Sequence, residues 1–111
     1  MNPSVNKQSM QLVIISAIEV CRTPIIQLLK KISITSFTIH EAVGYKDDSS
    51  DNASDNWFGS ELNEMPSVVF HIYVPAEKVV AIIEKVDEVN QASEYESKIH
   101  VVACPISSSN F

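Results

Sequence analysis

Cysteine is scarce in this chain. Two occur in 111 residues, Cys21 and Cys104, and neither belongs to a C-x-x-C pair. That is too few for a disulfide framework, and a reduced, cytoplasmic setting is the expectation. Positive charge is scarce too: eight Lys and Arg stand against fourteen Asp and Glu, a net charge of −6. No basic stripe is offered to a phosphate backbone, which excludes nucleic acid as a partner. No apolar run approaches the ~20 residues that span a bilayer, and Met1 to Gln11 lacks the apolar centre of a signal peptide. Glycine is absent from the connector before the last apolar run, Gln91 to Ser97. Cys21, Cys104 and the serines have no base that sequence alone puts beside them, so no enzymatic activity is expected.

What is present is ordinary for a globular domain: 45% hydrophobic and 20% charged residues. The length fits one domain with a core that needs no staples. The reading is a single domain over residues 10–106 between two flexible tails, 1–9 and 107–111. Gln11 to Ile18 is a short apolar run rich in β-branched residues, a buried strand. Thr23-Pro24 opens a helix whose apolar face is Ile25, Leu28, Leu29 and Ile32, although the helix could begin as early as Glu19. Lys30 and Lys31 suit its C-terminal end. A second strand is expected over Ser36 to Gly44 and a third over Val68 to Val74. Pro75 then opens a second helix with a buried stripe of Val79, Ile82, Ile83, Val86 and Asn90 and a wet side of Glu77, Lys78, Glu84, Lys85 and Glu88. Lys98 to Pro105 is the fourth strand. The order βαββαβ predicts an α+β, ferredoxin-like four-stranded antiparallel sheet with two helices on one face. Strands one and three lie in the centre. The strands are apolar on both sides, so the back of the sheet is expected to be covered by another copy of the chain.

Between strands two and three runs a long polar segment, residues 45–66. Lys46 to Glu64 holds one base and six acids, a net of −5. It has no hydrophobic period and reads as a loop. A loop of this length in a compact domain is usually functional or disordered. Trp57 and Phe58 in its middle are apolar anchors of the kind a contact segment needs. The alternative is that both side chains tuck back onto their own subunit.

Three stretches carry a resemblance: Ile34 to Gly44 ahead of the long loop, Pro66 to Ile83, and Lys98 to Ile106. In these the chain resembles the P-II signalling proteins and their P-II-like relatives. The resemblance implies a homotrimer with nucleotide clefts between subunits. It also implies a T-loop, here residues 45–66, that contacts a target protein, often a membrane transporter. Thr38 and Gly44 match family positions around the nucleotide, and Lys98 matches the lysine that meets phosphate, which makes ATP, ADP or AMP the implied ligand. Three departures stand out. The T-loop has no tyrosine beyond Tyr45 at its base. Lys46 stands where a second glycine is usual. Glu94 and Glu96 occupy the connector where the family has its glycine-rich phosphate loop. The expected function is therefore regulatory: effector sensing and contact with a target protein through Lys46 to Glu64.

An alternative from another class uses His40 and His71. If Gly44 pairs opposite Ser67, the two histidines face each other on adjacent strands and could hold a metal. Glu41 points to the other face, and His100 lies on a distant strand. Two ligands are fewer than a zinc site wants, and satisfied surface histidines are the plainer reading. A small enzyme of the same fold is the third reading.

Overall fold

Alternation puts Val13, Ile15 and Ala17 on one side of the first strand and Leu12, Ile14 and Ser16 on the other. The structure, a computed structural model, describes residues 9–46 and 63–111, and in it the first three are buried and the second three half-buried. This strand is β1 (Met10–Ile18). A 3-10 turn (Glu19–Cys21) leads directly into α1 (Arg22–Lys31), so the helical run does start near Glu19. Pro24 falls in the first turn of α1, where a missing N–H costs nothing. Ile25, Leu28 and Leu29 are buried as expected, and Ile32, the C-cap, packs against the core edge.

α1 ends in a Schellman arrangement: Ile34 N–H donates to Leu29 O at 2.9 Å and Ser33 N–H to Lys30 O at 3.0 Å. Ser33 holds the left-handed position at φ 66° that glycine usually takes. Lys78 Nζ donates to Ile32 O at 3.0 Å, satisfying another carbonyl of this terminus.

β2 (Thr38–Lys46) and β3 (Asn63–Pro75) form a hairpin longer than sequence periodicity indicates. Tyr45 and Lys46 pair with Glu64 and Asn63, and Val43 pairs with Pro66. The loop boundaries therefore move inward on both sides. Local polarity hides these pairings because each residue of the arms has just one neighbouring strand. β1 stops at Ile18 opposite Ser67, so β3 before Ser67 has a free outer edge, where proline is tolerated. The loop residues 47–62, with Trp57 and Phe58, lie outside the described residues, as does the N-terminal tail up to residue 8.

Pro75 caps α2 (Ala76–Ala92), and β4 (His100–Pro105) closes the chain, two residues shorter at its start than expected. The sheet order is β2-β3-β1-β4, all antiparallel, with β1 and β3 central as the βαββαβ pattern requires. One expected stripe residue is misplaced. Ile83 is exposed, and Val79, Ile82, Val86 and Val89 carry the contact instead. A spacing of three, four, three follows the helix more closely than the Ile82-Ile83 doublet does. At the C-terminus, Ile106 N–H donates to Met10 O, and the Phe111 ring stands edge-on to Tyr73 with centroids 5.4 Å apart.

Val13, Ile15, Val68, Phe70 and Ile72 have no exposed surface, and neither do Ile25, Leu29 and Ile82 on the helices above them. Phe70 is the largest of these side chains and contacts Phe37 at 5.6 Å between centroids. Phe70→Ala should therefore cost about 3–5 kcal/mol. Denaturant unfolding checks this, and a loss under about 1 kcal/mol would mean that the core is not organised around this ring.

Candidate functional site

β1 ends before the β2–β3 hairpin does, and the overhang leaves a hollow. One wall is the hairpin, Ala42 to Lys46 with Met65 and Ser67 to Val69. The floor is Ser16 to Ile18, and the far wall is Glu96 to Lys98 with His100. The cleft has a volume of about 820 Å³, within the range of small-molecule sites. Lys46, Lys98 and His100 line it against one carboxylate, Glu96. Among the described lining residues, two lysines stand against this one carboxylate.

Gly44 and Lys98, far apart in sequence, both line this cleft. Gly44 has an extended backbone, not a turn. What favours glycine is close approach: a Cβ built there would lie 2.7 Å from Ser67 Oγ, which itself donates to Met65 O. Lys98 Nζ donates to Asn90 O at 3.3 Å and Ser93 O at 3.4 Å. The ammonium thus sits on the C-terminal carbonyls of α2, where the helix dipole favours a cation, and a third N–H remains for another acceptor. Thr38 is elsewhere. It begins β2 opposite His71, six residues from Gly44, or roughly 20 Å along an extended strand. Within one chain the three residues do not converge.

Asn90 is the residue that sequence reading undervalued. Its amide nitrogen donates to Ile99 O at 2.9 Å, and its amide oxygen accepts from Ile99 N–H at 2.8 Å. This fork imitates one rung of a sheet ladder and ties the connector to the end of α2. It fixes Lys98 at the cleft although the connector has no glycine. Ser93, the C-cap, accepts from Tyr95 N–H and turns the chain away from the helix.

Arg22 forms a second cluster at the start of α1. Its guanidinium meets Glu19 at 2.6 Å and Glu41 on β2 at 3.2 Å. The Arg22 hydrogen bond holds the Glu19 carboxyl below the usual carboxylate range, against an opposing effect of burial and aided by the charge itself. The i, i+3 spacing of Glu19 and Arg22 was the available signal. Burial pushes the Cys21 thiol up, so it is a core side chain.

The histidine pair forms, but in another register. Ala42, not Gly44, stands opposite Ser67, so His40 faces Val69 and His71 faces Thr38. The slip is two residues, which keeps every side chain on its face. The two imidazoles meet diagonally, His40 Nε2 to His71 Nδ1 at 3.1 Å, with ring planes at 63°. Among the described residues no group of three or more His, Cys, Asp or Glu side chains could hold a metal, and no helix is long and apolar enough to cross a membrane.

No family model and no curated protein matches the sequence. Solved structures do match. The GlnK–ATP complex of B. subtilis is 22% identical, covers 87% of this chain and 83% of its own, and superposes with a TM-score of 0.62. Arabidopsis thaliana PII bound to citrate is 14% identical, with 90% and 79% covered and a TM-score of 0.62. A DUF3240 family protein from Shewanella baltica is 15% identical, with 93% and 96% covered and a TM-score of 0.64. The chain has the P-II fold, in a divergent sequence.

Asn90→Ala should lower stability by about 1–3 kcal/mol, since both partner groups on Ile99 lose their bonds. Thermal melting checks the loss, and amide exchange should rise first at Ile99. Unchanged protection there would show that the connector is held by something else.

Proposed function

We propose that this chain is a P-II-like regulatory protein. It acts as a homotrimer that takes a small anionic effector, an adenine nucleotide, at the cleft. It contacts a target protein through the acidic segment Lys46 to Glu64, with Trp57 and Phe58 as anchors. The observation that carries this reading is the cleft itself. It joins Gly44 and Lys98 in a P-II fold and gathers Lys46 and His100 beside them. The uncovered sheet face supports assembly. Leu12, Ile14, Val69, Tyr73 and Val102 share it, Tyr73 is 57% exposed, and neither helix reaches it. In a trimer built on that face, a neighbouring subunit could bring its Thr38 toward the cleft and complete the expected set. We read the role as regulatory rather than catalytic: among the described residues no serine of the cleft is hydrogen-bonded to His100 or Glu96.

Light scattering of the full chain should give the mass of three 12.3 kDa chains at micromolar concentration. A clean monomer would remove the sheet face as a subunit interface. Calorimetry with ATP, ADP and AMP should show binding, and Lys98→Ala should weaken it about tenfold or more by removing a charge-assisted contact to phosphate. No heat with any of the three would exclude an adenine nucleotide as effector.

A further inference from the structure

We propose that His40 and His71 together bind a divalent transition-metal ion on the uncovered face of the sheet. Neither histidine lines the cleft, so this site is separate from the effector site. His40 Nε2 and His71 Nδ1 are 3.1 Å apart. Two imidazole nitrogens bound to one ion at about 2.0–2.1 Å stand roughly 2.9 Å apart at a right angle and about 3.4 Å apart at the tetrahedral angle. The observed separation falls between these, so an ion can enter without moving the strands.

The histidines project from β2 and β3 within a continuous ladder from Thr38↔His71 to Lys46↔Asn63. Both strands have their backbone fixed by sheet pairing, so little ordering entropy remains to be lost when the ion binds. In the hydrogen-bonded pair one ring donates its N–H to the lone pair of the other. Among the described residues the remaining nitrogen of each ring has no protein partner. The donating ring's proton can move to its outer nitrogen, so that both facing nitrogens hold lone pairs, and a turn of the rings about their side-chain bonds aims these at one ion. No net proton need leave.

The donor set selects the metal. Imidazole suits zinc, copper(II) and nickel(II), whereas calcium and magnesium require oxygen ligands. The net charge of −6 favours any cation at long range. Among the described residues no third ligand stands near. His100 shares the face, but three strand spacings separate it from His40, about 14 Å. The remaining coordination positions therefore belong to water, or to donors of a second copy laid on the same face.

The test is calorimetric titration of the full chain, free of any histidine tag, with zinc chloride and with copper(II) chloride. His40→Gln, His71→Gln and His100→Gln are titrated alongside. Glutamine keeps the size and a hydrogen bond, and circular dichroism melting confirms that each variant folds. Binding should weaken at least tenfold in either of the first two variants and stay unchanged in the third. The copper(II) complex should show nitrogen hyperfine coupling from two imidazoles. Dependence on both histidines supports the site at any stoichiometry. Absence of binding overturns it. Binding that survives in the His40 and His71 variants also overturns it, because the ion then resides elsewhere, for example on the acidic segment.

Discussion

One row of side chains across the sheet sets everything else in place. Ile39, Phe70, Ile15 and Val101 are cross-strand partners in turn, one from each strand. Phe70 and Ile15 at its centre have no exposed surface. A strand's side chains alternate with a period of two, so a slip of one residue at any of these pairings would turn a buried set outward. α1 and α2 close over this row with Ile25, Leu28, Leu29, Ile82 and Val86. The helices lie where they do because this face, and not the other, carries the fully buried row.

The same pleat creates the other face. Thr38, His71, Ile14 and Val102 form one row there, and His40, Val69, Ser16 and His100 form the next. Two helices suffice to cover one side of a four-stranded sheet, and the described residues hold no third. Aliphatic and aromatic groups on this side, Ile14, Val69, Tyr73 and Val102, are therefore left uncovered by the described helices. Unequal strand lengths add the second feature. The hairpin continues past Ile18, so its arms have one neighbour each and stand as a wall beside the Glu96–Lys98 connector.

The fold was legible because its signals are local. β-branched runs marked the strands, Pro75 marked the strand-to-helix junction, and the order βαββαβ left one sheet arrangement. The misreadings arose where tertiary pairing overrides local composition. Tyr45, Lys46, Asn63 and Glu64 are polar and carry no strand pattern, yet the hairpin pairs them. Ile83 looks like a core residue beside Ile82, but the helix rotates it outward. The site was half legible. Gly44 and Lys98 followed from the resemblance, and their meeting at one cleft depends on strand lengths that composition does not encode. The Asn90 fork was hidden because Asn90 reads by its spacing as one more position of the second helix's buried stripe. It is the geometry of Ile99 that turns it into a substitute rung.

The two candidate sites differ in mechanical character, and the difference follows from where each lies on the sheet. His40 and His71 project from strands whose backbones are paired with neighbours, and β3 at His71 is paired on both edges. His71 therefore opens only with the core itself, while His40 lies on the edge strand β2 and has β3 as its one neighbour. The cleft is walled on one side by arms with a single neighbour and on the other by a connector held through one amide fork and a lysine. Few buried contacts back either wall, so both belong to the low-stability end of the structure. An anion at Lys98 competes with the carbonyls of Asn90 and Ser93 for the same ammonium. Drawing the lysine toward the cleft would loosen the end of α2, and the opposite hairpin wall is the base from which the acidic segment departs. A ligand in this cleft would therefore act on two weakly backed walls at once, whereas an ion on the histidines would bridge the edge strand β2 to the doubly paired β3.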